Sequence, residues 1–168
     1  MAEITVQSPL GPLTLAESDG HITRLDWRAA RRSAETPLLR EARRQLLAYF
    51  AGRLRDFDLP LSLAGSPFQQ RVWQAMQRIP YGQTRSYGEL AHETDSGPRA
   101  VGYACGSNPV AVIVPCHRVL AAGQRIGGYS GGAGIATKRL LLELEGAPAV
   151  TRRERPLLEP RALAAARS

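Results

Sequence analysis

The sequence predicts an α+β protein: a small N-terminal unit of mixed strand and helix, then a mainly helical C-terminal unit carrying a helix-turn-helix. Three observations predict it. Over residues 3–27 apolar residues alternate between turn signals. At Gly65 the apolar pattern changes from alternation to three- and four-residue spacing. From Ser66 to Gly106, helix starts follow one another, separated by turns rich in Gly and Pro. The chain has 168 residues, against roughly 150 per domain, so it makes one domain or two small ones sharing an interface. The boundaries predicted are 1–64, 65–146 and a basic, mobile tail over 147–168.

Each element has its own signal. Ile4 and Val6, then Leu13 and Leu15, alternate around the Gly11-Pro12 turn. Ser18-Asp19-Gly20 precedes a third strand through Ile22, Leu25 and Trp27. Residues 28–36 are polar and read as a loop. Leu38 to Phe50 is helical, with Leu39, Ala42, Leu46, Leu47 and Phe50 on its apolar face and Gly52 ending it. Phe57, Leu59, Leu61 and Leu63 alternate as one more strand. Ser66, with Pro67 next and Gln69 three residues on, is a capping box, and Phe68, Val72, Ala75, Met76 and Ile79 share the face of the helix it opens. Pro80-Tyr81-Gly82 stops that helix. Ser86 and Glu89 form a second capping box, for a short helix ending near Glu93. Pro98 starts a third helix, running from Arg99 to about Gly106. Two short helices joined by a tight turn suggest a helix-turn-helix. Val110 to Val114 is a continuous apolar run, so it is buried, whether strand or extended loop. The last helix spans about 135–145, with Leu140, Leu141 and Leu144 inward.

Composition excludes several classes. With 43% apolar residues, 22% charged and only 2 Cys, the chain is not collagenous, disordered or a disulfide scaffold. No apolar run reaches the ~18 residues of a membrane span, and no charged-then-apolar leader opens the chain. The expectation is a soluble cytoplasmic protein. The net charge is +7 and the basic residues are 21 Arg and one Lys, Lys138. Residues 1–61 carry 9 basic against 8 acidic groups, so the positive field lies in the rest of the chain. Arg makes bidentate contacts to phosphate and guanine, so the bias suits nucleic acid. A genome-wide preference for Arg explains it equally well.

Cys116 is the sharpest chemical candidate. It follows a buried run and precedes His117 and Arg118, and nearby positive charge lowers a thiol's pKa. A buried, purely structural cysteine is the commoner role for a free thiol. Adjacent side chains usually point apart, so a water between Cys116 and His117 is a better relay than direct contact. Such a base needs a third group to orient it, and Glu145 is available at the end of the last helix. His21 and His92 have no partners in sequence. Two cysteines and one adjacent histidine match no zinc ligand spacing. The glycine-rich stretch Gly127 to Gly132 lacks the Lys-Ser/Thr of a phosphate loop. Taken singly, Arg99 is as readily a solvated helix charge, Asn108 a cap and Tyr87 half-buried packing.

These residues together resemble one family. Val114-Pro115-Cys116-His117-Arg118-Val119 is similar to the active-site signature of the O6-alkylguanine-DNA alkyltransferases. Pro67-Phe68-Gln69-Gln70-Arg71-Val72-Trp73, Ile79-Pro80-Tyr81-Gly82 and Ser86-Tyr87-Gly88-Glu89-Leu90-Ala91 are similar to the family's preceding segments. Arg99-Ala100-Val101-Gly102, Asn108-Pro109, Gly128-Tyr129-Ser130-Gly131-Gly132 and Leu142-Glu143-Leu144-Glu145-Gly146 follow in the family's order. Ser8-Pro9-Leu10-Gly11-Pro12-Leu13 resembles its N-terminal domain, which is RNase H-like.

The resemblance implies direct-reversal DNA repair, an irreversible transfer of the alkyl group from O6-alkylguanine to Cys116, once per molecule. It implies that His117 activates Cys116 through a water, oriented by Glu145, and that Asn108 holds the turn before the cysteine loop. The helix-turn-helix would bind the minor groove through Arg99, Ala100, Tyr87 and Gly102, with Arg99 filling the stack left by the flipped base. Tyr87 would help rotate the nucleotide, bond the base and donate a proton to it. The Ser130 backbone N–H and the carbonyls of Cys116 and Val119 would bond the base, and Tyr129 would line the pocket. The partner implied is double-stranded DNA containing O6-alkylguanine, with O4-alkylthymine as a further substrate. The protein would be a monomer able to assemble cooperatively on DNA, without cofactor or metal.

This chain departs from the family in a shorter turn between Tyr87 and Arg99. It also carries Cys105, read as packing with a second alkylation site as the alternative, and the basic tail, read as added phosphate affinity. The competing readings are a non-catalytic alkylguanine-recognition module, against which the retained cysteine speaks, a Cys-His hydrolase, and a plain helix-turn-helix regulator.

Overall fold

The computed structural model describes residues 1–147, which fall into two compact units meeting at Ala64 and Gly65. In the first, β1 (Ala2–Ser8), β2 (Gly11–Ser18) and β3 (His21–Asp26) form an antiparallel sheet in the order β1-β2-β3. Its register pairs Ile4 with Leu15 and Val6 with Leu13, which puts the alternating apolar residues on one buried face. The central strand β2 is buried on both faces from Leu13 to Ala16, and its one polar side chain there, Thr14, donates to the Arg28 carbonyl at 2.6 Å. Helix α1 (Pro37–Phe50) is capped by Thr36 and covers the sheet.

Two details differ from the sequence expectation. The face of α1 turned inward is Leu39, Ala42, Leu46, Tyr49 and Phe50, while Leu47 is exposed. A three-four-three spacing through Tyr49 keeps a narrower stripe than one through Leu47. Residues 57–63 do not form a strand of a ladder. They alternate half-buried and exposed as expected, but pair only at Leu61, where Ile22 N–H donates to Pro60 O and Ser62 N–H donates to Ile22 O. Pro60 has no N–H to extend the pairing.

In the second unit, α2 (Pro67–Gln77) starts at the Ser66–Gln69 capping box. Its buried face adds Trp73 to Val72, Ala75 and Met76, with Phe68 only half-buried. The Trp73 indole N–H donates to the Ala104 carbonyl at 2.9 Å. Gly65 makes room for the ring, because a Cβ there would lie 2.5 Å from it. After the two-residue β4 (Arg85–Ser86), α3 (Tyr87–Glu93) starts at the Ser86–Glu89 box. The four residues 94–97 turn the chain into α4 (Pro98–Gly106). Thr94 closes the turn by donating to Leu90 O, and Ser96 N–H donates to Ala91 O.

Val110 to Val114 is buried and is a loop, not a strand. It ends in a single 3-10 turn, Cys116–Arg118, followed by β5 (Val119–Leu120), which pairs in parallel with β4. Helix α5 (Ile135–Leu144) buries Thr137, Lys138, Leu141, Leu142 and Leu144, whereas Leu140 is half-buried. It closes in a Schellman motif: Gly146 sits at φ +71°, and Ala147 N–H donates back to Leu142 O. Ala147 is fully buried beside Leu142 and Leu120. The residue expected to begin a mobile tail is therefore part of the core, and the rest of that segment lies outside the described residues.

Candidate active site

The site grows from the loop between α4 and β5. Asn108, just past α4, accepts from Val110 N–H through Oδ1 at 3.0 Å and donates through Nδ2 to Val114 O at 2.8 Å. The loop it ties includes Val112 at φ +75°. A β-branched residue there stores strain of order 1–3 kcal/mol, held by the two Asn108 bonds and by burial. The loop delivers Cys116, 5% exposed, to the wall of a cavity of about 880 Å³. Tyr87, Arg99, Gly102, Tyr129 and Ser130 line the same cavity. Ser130 also donates its hydroxyl to Gly106 O at 3.3 Å. Ala100 is exposed on α4 outside the lining. Val119 is fully buried and outside the lining as well, and its carbonyl accepts the Lys138 ammonium at 2.6 Å.

The thiol is protonated at rest. Burial pushes the Cys116 thiol up, against hydrogen bonds from Asn108 and Tyr129 and the positive charge of Lys138. Burial likewise raises Tyr87, to about 12, so that it stands in the cavity as a neutral donor. Lys138 Nζ lies 5.6 Å from the centre of the Tyr87 ring and also donates to Gly128 O at 3.2 Å. Burial lowers Lys138 to about 8 against the pull of the two thiols.

Next to Cys116 in sequence, His117 and Arg118 form a buried cluster with Glu145. His117 is fully buried and its Nε2 lies 2.7 Å from Glu145 Oε2. Burial alone would raise the Glu145 carboxyl, but His117 and Arg118 outweigh it and hold the carboxyl well below its usual range. An ionised carboxylate only accepts, so Nε2 carries the hydrogen that points to it. The other ring nitrogen, Nδ1, is buried with no hydrogen-bond partner among the described residues. Arg118 grips the same carboxylate, Nε to Oε1 at 2.8 Å and Nη2 to Oε2 at 3.1 Å, and donates to Ile79 O at 2.6 Å. Glu145 is placed by the end of α5 and by Gly82, which sits at φ +79° with its Cα hydrogen side 3.1 Å short of the Glu145 carbonyl once a Cβ is added.

The sequence predicted Cys116, His117, Glu145, Asn108, Tyr87, Arg99, Gly102, Tyr129 and Ser130 as site residues, and the fold gathers these around one cavity and its back wall. The cation expected beside the thiol is different. Arg118 is committed to Glu145, and the charge acting on Cys116 is Lys138. Lys138 was missed as a site residue, although one signal pointed to it: it is the sole lysine among 21 arginines.

Comparison with known proteins decides the family. Residues 67–147 match the family model described as 6-O-methylguanine DNA methyltransferase, DNA binding domain, and residues 1–63 match its ribonuclease-like domain. The chain belongs to the 6-O-methylguanine DNA methyltransferase family. A methylated-DNA–protein-cysteine methyltransferase of Mycobacterium tuberculosis is 50% identical over 150 residues, covering 84% of this chain and 90% of that protein. The constitutive enzyme of the same name from Bacillus subtilis is 44% identical over 154 residues, covering 84% and 93%. Among solved structures, M. tuberculosis OGT in complex with DNA superposes with a TM-score of 0.76 at 48% identity, covering 90% of this chain and 98% of that one. The O6-methylguanine-DNA methyltransferase of the archaeon Pyrococcus kodakaraensis superposes at 0.53 and 27% identity, covering 80% and 91%.

Proposed function

We propose that this chain repairs alkylated DNA by moving the alkyl group of O6-alkylguanine onto Cys116. Membership of the methyltransferase family supports the reaction class. The relative crystallised with DNA supports duplex DNA as the partner. The observation that carries the residue assignment is the buried Cys116, His117 and Glu145 set opening on a cavity beside α4. A lesion inside a duplex must leave the stack to reach such a cavity. Arg99, at the mouth of the cavity, fills the vacated place, and Tyr87 guides the nucleotide in.

A water carries the Cys116 proton to His117 Nδ1, the free base that Glu145 and Arg118 fix in that tautomer. The sulfur then forms a bond to the alkyl carbon as the carbon–O6 bond breaks. The bonding pair goes to the guanine, which takes a proton from Tyr87, and the proton held at His117 is returned to the tyrosinate through solvent. The net change is thiol plus O6-alkylguanine to thioether plus guanine. The thioether is stable, so each chain reacts once. The reading takes a monomer to act on each lesion. A cytoplasmic location fits this reading. Ala100 and Gly102 would lie against the minor groove, and the Ser130 N–H and the carbonyls of Cys116 and Val119 would bond the base. For Val119 this requires its carbonyl to share its second lone pair beside Lys138.

The test is intact-mass measurement after mixing the protein with an O6-methylguanine duplex, followed by peptide mapping. The expected result is a gain of one methylene on the Cys116 peptide, absent in Cys116→Ser. Tight lesion binding with no mass gain would instead establish the recognition-module reading.

A further inference from the structure

On α4 the residues that pack inward are Val101 and Ala104, and the opposite face shows Arg99, Ala100 and Tyr103 to solvent. Tyr103 is 75% exposed, and among the described large apolar side chains only Met1 is more so. It stands one helical turn after Arg99, on the side of α4 whose Gly102 and Gly106 line the cavity. Those two glycines are not required by the fold, because a Cβ at either would meet nothing within 4 Å. Gly102, inside the helix, costs it roughly 1 kcal/mol against alanine. A smooth stripe that the protein's own packing does not need suits the close approach of another surface. An aromatic ring left standing in that stripe suits a flat or sugar-like contact, not solvent.

We infer that Tyr103 is a second DNA-contacting residue of α4, placing its ring against the sugars and base edges of the groove next to the nucleotide that Arg99 replaces. The inference rests on the proposed repair function and sharpens it, since it names an apolar contact that adds to phosphate binding without counting charges. Aromatic anchors at an interface are worth about 1 kcal/mol or more each, or about fivefold or more in affinity. They do not release counterions, so they leave the salt dependence alone.

The experiment compares wild type, Tyr103→Ala and Tyr103→Phe in three readouts. These are affinity for a lesion duplex as a function of salt, single-turnover transfer from that duplex, and transfer from free O6-benzylguanine base. Tyr103→Ala is expected to weaken duplex binding about fivefold or more with an unchanged slope of log affinity against log salt. Its reaction with the free base should stay within about twofold, as for an exposed substitution. Tyr103→Phe should bind like wild type, because the ring and not the hydroxyl makes the contact. Unchanged duplex affinity in Tyr103→Ala overturns the inference. So does an equal loss with duplex and free base, which would mean that Tyr103 acts by shaping the pocket. Wild type that binds the lesion duplex through Tyr103 but transfers nothing would refute the repair reading and leave this one standing.

Discussion

Glu145→Gln separates the two jobs of the buried carboxylate. In the wild type it accepts from His117 Nε2 and from two nitrogens of Arg118, all within 2.7–3.1 Å. The amide keeps one acceptor oxygen and loses the charge. Arg118, 6% exposed, is then a buried cation without a counterion, and breaking such a pair costs about 3–5 kcal/mol. At roughly 2–4 °C per kcal/mol for a chain of this size, the melting transition of the whole chain should fall by about 6–20 °C. The transfer rate should fall as well, because the tautomer that leaves Nδ1 free is no longer enforced. Losing an oriented general base is worth about 10²–10⁴-fold. The decisive variant is Glu145→Gln with Arg118→Met. Removing the orphaned cation should recover most of the stability, short of the roughly 1–3 kcal/mol for the Ile79 carbonyl left unpaired. It should recover none of the rate. The assay is denaturant unfolding beside rapid-quench transfer from a methylated duplex. If the double variant regains both stability and rate, Glu145 is a structural counterion only and the relay is wrong.

The other predictions follow from the same geometry. Asn108→Ala removes both bonds that hold the Val112 turn and should cost about 2 kcal/mol, roughly 1 for each bond, with a slower transfer; Asn108→Asp keeps the Val110 bond but sets a carboxylate oxygen against the Val114 carbonyl, so unfolding and transfer should suffer at least as much. Gly82→Ala forces a Cβ into the left-handed region against the Glu145 carbonyl, and should cost at least ~1 kcal/mol of C-terminal stability with slower transfer. Lys138 is lowered to about 8 by burial, so its charge is present below that pH and lost above it, while the Cys116 thiolate is favoured by rising pH. The transfer rate should therefore rise with pH and level off near 8, where loss of the Lys138 charge offsets the gain in thiolate. In Lys138→Met the break near 8 should vanish and the rise should continue to higher pH. A rate in Lys138→Met with the wild-type profile would remove Lys138 from the site. For stability the sign is different. Between about 8 and the usual lysine range the unfolded chain binds more protons, so the Lys138 penalty, full below 8, is relieved as pH rises across that window.

The helix starts were legible because capping is local. Ser66 with Gln69 and Ser86 with Glu89 form their boxes within three residues, and nothing distant can change them. The loop before Cys116 was legible as buried because five apolar residues run together, but its shape was not. The choice between strand and loop depends on Asn108 reaching across six residues to Val114. The strand expected over 57–63 failed for the opposite reason: the pattern was right, but pairing needs donors, and Pro60 lacks one. Charges were the least legible. Arg118 looked like a partner for the residue two before it, and instead reaches 27 residues along the chain to Glu145. Lys138 sits among leucines on a helix, where spacing reads it as a polar interruption of the apolar stripe. Only the fold shows that its tip crosses to Val119 and Gly128.

The resting thiol fits a protein that reacts once. Cys116 is buried and protonated, and makes no direct contact with the buried Nδ1 of His117 among the described residues. A thiolate poised at all times would be consumed by any small electrophile, since reactivity follows thiolate fraction and access. Here the ionised form is favoured only when the proton can pass along the relay, and Tyr87 and Tyr129, both held neutral by burial, leave no competing anion in the cavity. Asn108 and Lys138 supply stabilisation for a negative sulfur that is worth most once a bound base has excluded water. The burial that raises the thiol's pKa is therefore the same burial that strengthens its stabilising partners when the substrate is in place. On this argument free alkyl halides should modify Cys116 far more slowly than an alkylated duplex does. Equal rates with both, measured by mass at matched concentrations, would show that the thiol is active at rest.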